Sequence, residues 1–367
     1  MNKKTAAILA AAVALGIAAA LGAAALIGGG DSETAPAEAT PAEHTMVQGT
    51  VWVANEGGNS ITAIDAATNR VVATLTGIEG PHNLQVSPDG RTVWAVSGHE
   101  SMAVMLDGAT YELHGVVPTG EELAHIVLTP DGKLAYTTNG AENTVTAIDV
   151  AAMKPIATIP VGPFPHGLRP SPDGRWIYVA NAKGSTVSVI DVSSNRRVAD
   201  IVAGRAPVQL GFSPDGRYAY VSLNAENAVG KIDVAKRKLV GKLTVGVGPI
   251  QVYVSPDGKY LLVANQGTEA EPGTTVSIVD TARFKVVSTV ETGTGAHGVV
   301  IDPSSRHAYV TNIYGNDVAV LDLAEREVVA RIPVGRWSNG ISYSPFAPAT
   351  GTSHVQLEMP EMGGMGH

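Results

Sequence analysis

The stretch PHGLRPSPDG, Pro165 to Gly174, has a near-copy in PHNLQVSPDG, Pro81 to Gly90. Its second half, SPDG, predicts a tight turn, because proline presets a negative φ and glycine accepts the closing position of the turn. Its first half places a histidine directly before a short strand pattern. The stretch therefore raises two questions, one about the fold and one about the chemistry of that histidine.

The turn motif repeats along the chain at an almost constant interval. It begins, in recognisable form, at Ser87, Thr129, Ser171, Ser213, Ser255, Asp302 and Ser344. Successive starts are 42 residues apart, with a single interval of 47. The aspartate of "VID" or "AID" repeats with the same intervals, so the five extra residues lie between Asp233 and Asp280, most simply as TEAEP, Thr268 to Pro272.

Each repeat divides into four short strand patterns. Examples are VQLGF before the turn, IYVAN after it, the alternating TVSVID, and RVVATL. Four-stranded units of this length form the blades of a propeller, so seven motifs predict an all-β, seven-bladed β-propeller. The first unit begins at its second strand, Val51 to Asn55, and the last element, Asn339 to Pro345, is an inner strand without partners. We expect these two pieces to share a blade and close the ring.

One complete repeat, AYVTNIYGNDVAVLDLAEREVVARIPVG (Ala308 to Gly335), resembles the YVTN-type β-propeller repeat of exported bacterial and archaeal proteins. The resemblance extends from Val51 to about Ala347 and includes all seven units. It implies the propeller fold. It implies little about function, because the family includes surface-layer proteins, proteins of unassigned role and relatives of redox-enzyme propellers.

Composition excludes several classes of function. The 367 residues include no cysteine, so disulfides, a thiol nucleophile, a lipoprotein anchor, covalently attached c-type haem and a zinc-cysteine site are all excluded. The formal charge is −9 and no basic cluster occurs, which argues against a nucleic-acid partner. The chain has no P-loop, dinucleotide fingerprint or G-x-S-x-G motif, so no nucleotide cofactor is predicted.

The ends of the chain predict export and a flexible tail. Lys3 and Lys4 precede an apolar run that ends at Gly30, and residues 1–30 fit either a cleaved signal peptide or an uncleaved anchor through residues 5–28. Both alternatives place the remainder in the periplasm or outside the cell, in contact with the membrane only through this segment. Residues 31–48 form an acidic Pro/Ala-rich linker, residues 49–347 the propeller, and residues 348–367 a flexible Met/His-rich tail.

The histidines fall at one level of the predicted channel. Counting five residues back from each turn motif gives His82, Ala124, His166, Val208, Ile250, His297 and Asn339, with His125 one residue after Ala124. Four blades thus place a histidine at the channel mouth, and His99 lies in a loop on the same face. Converging imidazoles suit zinc or copper. The alternative is that each histidine hydrogen-bonds the backbone at its own tight corner.

Two further observations bear on a metal. Seven-bladed nitrous oxide reductase and thiocyanate dehydrogenase are similar in holding copper with inner-strand histidines, but this chain has fewer histidines and no second copper domain. Val208 and Ile250 make one side of the ring apolar, so a single ion is expected rather than a multicopper cluster. The tail offers a second candidate copper site, whose thioether and imidazole ligands would be His354, Met359, Met362, Met365 and His367.

Three functions remain open from the sequence. The first is an exported, monomeric accessory protein that binds copper or zinc. The second is a scaffold whose top face docks another exported or membrane protein, and an exposed aromatic patch there would favour it. The third is a propeller enzyme, either lyase-like or lactonase-like or a copper oxidoreductase. Binding is favoured over catalysis, because no motif identifies a substrate class. Histidine nitrogens within about 4 to 5 Å of one another would favour the metal.

Overall fold

A computed structural model of the chain describes residues 47–349, 351 and 353–360. These residues form seven sheets, the blades of a propeller, and confirm the all-β fold class and the number of blades. Each blade has four antiparallel strands, and one blade has a fifth, parallel strand at its outer edge. Two single-turn 3₁₀ helices, Glu56–Gly58 and Asn224–Glu226, interrupt the strands. Among the described residues, no helix is long and apolar enough to cross a membrane, and the apolar run in residues 1–30 lies outside them.

Each blade contributes one inner strand to the wall of the axial channel. Blades 1 to 4 contain β1 (Thr50–Asn55), β2 (Ser60–Asp65), β3 (Arg70–Thr76), β4 (Pro81–Val86), β5 (Thr92–Ser97), β6 (Met102–Asp107), β7 (Leu113–Pro118), β8 (Leu123–Leu128), β9 (Leu134–Asn139), β10 (Thr144–Asp149), β11 (Lys154–Pro160), β12 (Pro165–Pro170), β13 (Trp176–Asn181), β14 (Thr186–Asp191) and β15 (Arg196–Val202).

Blades 5 to 7 follow, and two last strands return to blade 1. These strands are β16 (Pro207–Phe212), β17 (Tyr218–Leu223), β18 (Ala228–Asp233), β19 (Lys238–Thr244), β20 (Pro249–Val254), β21 (Tyr260–Gly267), β22 (Pro272–Asp280), β23 (Lys285–Glu291), β24 (Ala296–Ile301), β25 (His307–Asn312), β26 (Asp317–Asp322), β27 (Glu327–Pro333), β28 (Ser338–Ser344) and β29 (Ser353–Gln356). The inner strands are β28, β4, β8, β12, β16, β20 and β24.

The two ends of the ring meet in blade 1, as the sequence predicts. Strand β1 pairs antiparallel with both β2 and β28, with Thr50 opposite Ser344 and Val53 opposite Ile341. The five extra residues lengthen one hairpin, because Gly267 at the end of β21 pairs with Pro272 at the start of β22. Neither feature changes the number of inner strands, so the channel is bounded by seven.

The core consists of apolar side chains packed between neighbouring blades. The largest come from one position of the second strand in six blades, where a buried aromatic stands at Trp52, Trp94, Tyr136, Tyr178, Tyr220 and Tyr309. Aromatic side chains bury about 150–250 Å² each and dominate core energetics. Their repetition holds the inner strands at fixed positions around the axis.

A buried asparagine at the end of the second strand ties it to the third strand. In blade 4, Asn181 Nδ2 donates to Thr186 Oγ1 at 2.9 Å and to Ser188 Oγ at 3.0 Å. Equivalent bonds recur from Asn55, Asn139 and Asn265. Blade 5 has Leu223 at this position, and there the two hydroxyl residues are replaced by Ala228 and Gly230.

The structure corrects the expectation of a flexible tail for residues 353–357. Strand β29 pairs parallel with β3 on the outer edge of blade 1, with His354 opposite Thr74. Leu357 is buried beyond the end of the strand, and Val355 and Met359 pack against the same core cluster. Val355 and Leu357 alternate with polar residues, a pattern that predicts a strand. The Met, Gly and Pro residues of the rest of the tail make this pattern hard to recognise in the sequence.

Candidate metal centre

Four histidines line the channel near the starts of inner strands β4, β8, β12 and β24, at one end of the propeller. His125 and His166 are the closest pair, with ring centroids 4.9 Å apart. His82 lies 5.4 Å from the His166 ring and 5.8 Å from the His125 ring, and His297 lies 6.3 Å from His82. The four predicted channel histidines are therefore brought together around one point of the axis.

Three of them lie close enough together to form an open metal site after a small movement. One ring nitrogen from each of His82, His125 and His166 lies within 4.8 Å of the others. Nitrogen ligands about 2.0–2.1 Å from a tetrahedral ion lie about 3.3 Å apart, so binding requires the rings to move inward by about an ångström. His297 stands beside His82, where it can act as a fourth ligand or a neighbour.

Glu56 orients His82. Its Oε2 lies 3.1 Å from His82 Nδ1 and accepts a hydrogen bond of 2.7 Å from Asn339 Nδ2. Burial by itself would raise the pKa of the Glu56 carboxyl, but the hydrogen bond and the electrostatic interaction with His82, together with the hydrogen bond from Asn339, lower it to about 2. With Nδ1–H donated to this carboxylate, the lone pair of His82 is on Nε2, the arrangement usual for a metal-bound histidine.

Sequence reasoning missed Glu56. The residue belongs to the loop between the second and third strands of blade 1, which lies on the same end of the propeller as the inner-strand histidines. Its position could have identified it, because this loop lies on the histidine end of the propeller in the blade next to the one that contains His82.

His125 has a different partner. Gln209 Nε2 lies 3.2 Å from His125 Nδ1, while Gln209 Oε1 accepts a hydrogen bond of 2.8 Å from the Leu210 N–H. The Leu210 contact sets the orientation of the amide, so Nδ1 of His125 accepts and the proton of the ring is on Nε2. Binding of a metal through Nε2 therefore requires the proton to move to Nδ1 or to leave.

The buried imidazoles are neutral at physiological pH. Burial, followed by the electrostatic effect of neighbouring histidines, lowers the pKa of His166 and of His297 to about 3 in each case, against opposing effects of Glu56 and of a backbone hydrogen bond with Val208 for His166 or with Asn339 for His297. Burial also lowers the pKa of His125 far below its usual value. Neutral imidazole is the form that binds transition metals.

Each of the four rings has one buried nitrogen without a hydrogen-bond partner in the described residues: Nε2 of His82 and His125, and Nδ1 of His166 and His297. A buried polar atom left unsatisfied costs about 1–3 kcal/mol. The donor set therefore fits a cation with affinity for imidazole. The other interpretation, that each histidine hydrogen-bonds the backbone at its own corner, also applies in part. His166 and His297 each use one ring nitrogen for a backbone hydrogen bond.

The other predicted ligands lie elsewhere. His99 is exposed in its loop, with its ring against Gly80. His354 is exposed on β29 at the outer edge of blade 1, and Met359 packs partly buried against the core of that blade. Met362, Met365 and His367 fall outside the described residues. Within the described part of the chain, the tail therefore contributes no ligand to the axial cluster.

The channel mouth is apolar on one side and has little exposed aromatic surface. Val208 and Ile250, on β16 and β20, occupy the positions that carry histidine in other blades. Trp337, just before β28, is an exposed aromatic at this end, and Arg336 lies over its ring. Among the described residues at this end, we find no larger group of exposed aromatic side chains.

Comparisons with known proteins agree with this architecture. A family model described as YNCE-like beta-propeller matches residues 92–345, more than half of the chain. No curated protein matches the sequence of this chain.

Solved structures share the fold at low identity. Hydrazine synthase of Kuenenia stuttgartiensis is 24% identical with a TM-score of 0.67, over 74% of this chain and 91% of that one. A functionally unknown protein from Desulfotomaculum acetoxidans is 17% identical with a TM-score of 0.72, over 82% and 99%. Dihydro-heme d1 dehydrogenase NirN, in complex with DHE, is 15% identical with a TM-score of 0.61, over 81% and 75%. These similarities concern the fold alone.

Proposed function

The chain belongs to the YNCE-like β-propeller family, and we propose that it is an exported protein that binds one copper or zinc ion at the mouth of its axial channel. The observation that carries the proposal is the convergence of His82, His125 and His166, one from each of three consecutive blades, with ring nitrogens within 4.8 Å. The role is metal handling rather than catalysis.

The chemistry of the side chains supports this assignment. His82 Nε2 and His166 Nδ1 are buried and have no hydrogen-bond partner among the described residues, and Glu56 strengthens His82 as a ligand by accepting its Nδ1–H. His125 becomes the third ligand once the proton on its Nε2 has moved to Nδ1 or has left. Three imidazoles with room for a fourth ligand match the preferences of both Cu(II) and Zn(II).

Export is supported by the apolar run in residues 5–28 after two lysines. The mass of the protein isolated from the envelope of its host would distinguish removal of residues 1–30 from an intact anchor. A full-length protein recovered from the cytosol would contradict export.

Metal loading tests the proposal directly. After the protein is loaded with Cu(II) or Zn(II) and desalted, we expect one tightly bound ion per chain by elemental analysis. With Cu(II), pulsed EPR should detect the remote nitrogens of two or three imidazoles. His166→Leu should lose the ion, whereas His114→Ala, which alters an exposed outer-strand histidine, should keep it.

A chain ending at Pro360 separates the two predicted sites, because it lacks Met362, Met365 and His367 but keeps every axial histidine. Retention of one ion by this shorter chain supports the axial site. If the shorter chain binds no ion, or if the EPR spectrum of the full-length protein lacks imidazole coupling, the proposal fails. The spectroscopic result does not depend on the folding of any variant.

A further inference from the structure

The channel has a second chamber at the end opposite the histidines. Three residues beyond the histidine level, the seven inner strands contribute Gln85, Val127, Arg169, Gly211, Tyr253, Val300 and Ser342, and all seven line one cavity of about 530 Å³. Prolines of four turn motifs, including Pro88 and Pro345, line the same cavity, which places it at the turn-motif end. Its size lies within the range of about 300–1,000 Å³ typical of small-molecule sites.

Arg169 is the only charged side chain among the described residues that line this chamber. It is partly buried, and its Nη1 donates to the adjacent Leu168 carbonyl at 3.2 Å. Burial lowers the pKa of its guanidinium, and of the described titratable groups only the Tyr253 phenol opposes this shift. No carboxylate is therefore paired with Arg169 in the described part of the chain.

An unpaired cation in such a position is costly for the fold. Buried charges in proteins are normally paired or hydrogen-bonded, and arginine remains protonated because its pKa exceeds 12 in water. A guanidinium offers a planar fork of donors that matches a carboxylate or phosphate in two parallel hydrogen bonds. An anion in the chamber would supply the partner that Arg169 lacks among the described residues.

The other residues that line the chamber indicate which kind of anion would fit. Val127, Val300 and Ile341 provide aliphatic surface, and Phe212, Tyr253 and Tyr343 provide aromatic surface. Gln85 and Ser342 are already engaged with each other and with the main chain of Val86. One positive charge in a chamber whose wall is part polar and part apolar favours a singly charged ligand with an apolar portion over a multiply charged one.

We propose that the second chamber binds a small organic monocarboxylate. Its carboxylate would contact the Arg169 guanidinium, and its apolar body would lie against Phe212, Val300 and Ile341. This site is separate from the histidine cluster, and the proposal does not depend on metal binding.

Calorimetric titration of the full-length protein with benzoate, benzyl alcohol and inorganic phosphate tests the site. We expect benzoate to bind, and benzyl alcohol, its neutral counterpart, to bind at least about tenfold more weakly. Arg169→Gln should weaken benzoate binding by about tenfold or more without weakening benzyl alcohol, and Arg169→Lys should retain part of the affinity.

Equal affinity for benzoate and benzyl alcohol would show an apolar pocket without anion recognition and would overturn the proposal. Binding of phosphate without benzoate, or unchanged benzoate affinity in Arg169→Gln, would overturn it as well. The comparison among the three ligands uses the unaltered chain, so it decides the matter even if a variant is unstable.

Discussion

Gln209 controls which nitrogen of His125 is available to a metal. In the structure its amide donates to His125 Nδ1 because its oxygen is already used by the Leu210 N–H. A carboxylate at position 209 has two acceptor oxygens, so it can accept from Leu210 and from a protonated Nδ1 at once. Nε2 of His125 would then carry the lone pair, as it does in His82.

Gln209→Glu is therefore expected to tighten metal binding. Loss of a carboxylate or carbonyl partner from a ligating histidine typically costs about 10–100-fold in affinity, so gaining one should strengthen Cu(II) or Zn(II) binding by about tenfold. Competition with a chelator of known affinity measures the change. The pKa of His125 should rise at the same time, which NMR titration of the metal-free protein can follow.

Gln251→Glu is the matched control. Gln251 occupies the same position one blade later and is also buried, its Oε1 accepts from the Val299 N–H at 3.4 Å, and its Nε2 has no hydrogen-bond partner among the described residues. This change should leave metal affinity unaltered. If both variants strengthen binding equally, general electrostatics explains the effect, and if Gln209→Glu weakens binding, the assigned tautomer of His125 is wrong.

At the scale of the blade, the asparagine that joins the second and third strands acts as a cross-link with specific partners. In blade 4 two buried hydroxyl groups accept from Asn181, whereas blade 5 has an apolar residue at all three corresponding positions. The two sets are alternative solutions of one packing problem. Mixing them leaves polar groups unpaired or a cavity unfilled.

Asn181→Leu should lower the free energy of unfolding by about 1–3 kcal/mol, because two buried hydrogen bonds are lost and their acceptors remain. In the double variant Asn181→Leu with Thr186→Ala, the two changes should cost less than the sum of the single ones, by about 0.5 kcal/mol or more. Urea unfolding of the four proteins provides the cycle. Strict additivity would contradict the cross-link, and Leu223→Asn in blade 5 should also destabilise, since Ala228 and Gly230 cannot accept.

The repeat accounts for most of what could be predicted at this scale. Residues at the same count on equivalent strands occupy equivalent positions, so His82, His166 and His297 could be placed at one level of the channel from the 42-residue interval and its single extension to 47. Glu56 and Gln209 could not be identified as partners, because their contacts depend on the packing angle between blades and on loop paths. Strand β29 lies outside the repeat, so the interval carries no information about it.

At the scale of the whole molecule, β29 covers the outer edge of the blade that closes the ring. A chain ending at Ala349 would expose the edge of β3 and the core surface that Leu357 covers. Burial of one leucine contributes about 1.5–3 kcal/mol, so we expect the melting temperature to fall by roughly 5 °C. An exposed edge strand also favours association, which light scattering would detect.

The chain ending at Pro360 provides the control, since it keeps β29 and Leu357 and loses only residues 361–367. Its melting temperature should match that of the full-length protein. Equal stability of the chain ending at Ala349 would mean that β29 contributes nothing to blade 1.

The pairing of β1 with β28 has a consequence for biosynthesis. Strand β1 is among the first parts of the propeller to leave the ribosome, and its partner at residues 338–344 is the last inner strand to do so. Until then the inner edge of β1 has no neighbour, and six blades form an open arc rather than a ring. Native closure therefore waits for the last inner strand, and until that strand is made the chain retains unpaired strand edges of the kind that chaperones and proteases recognise.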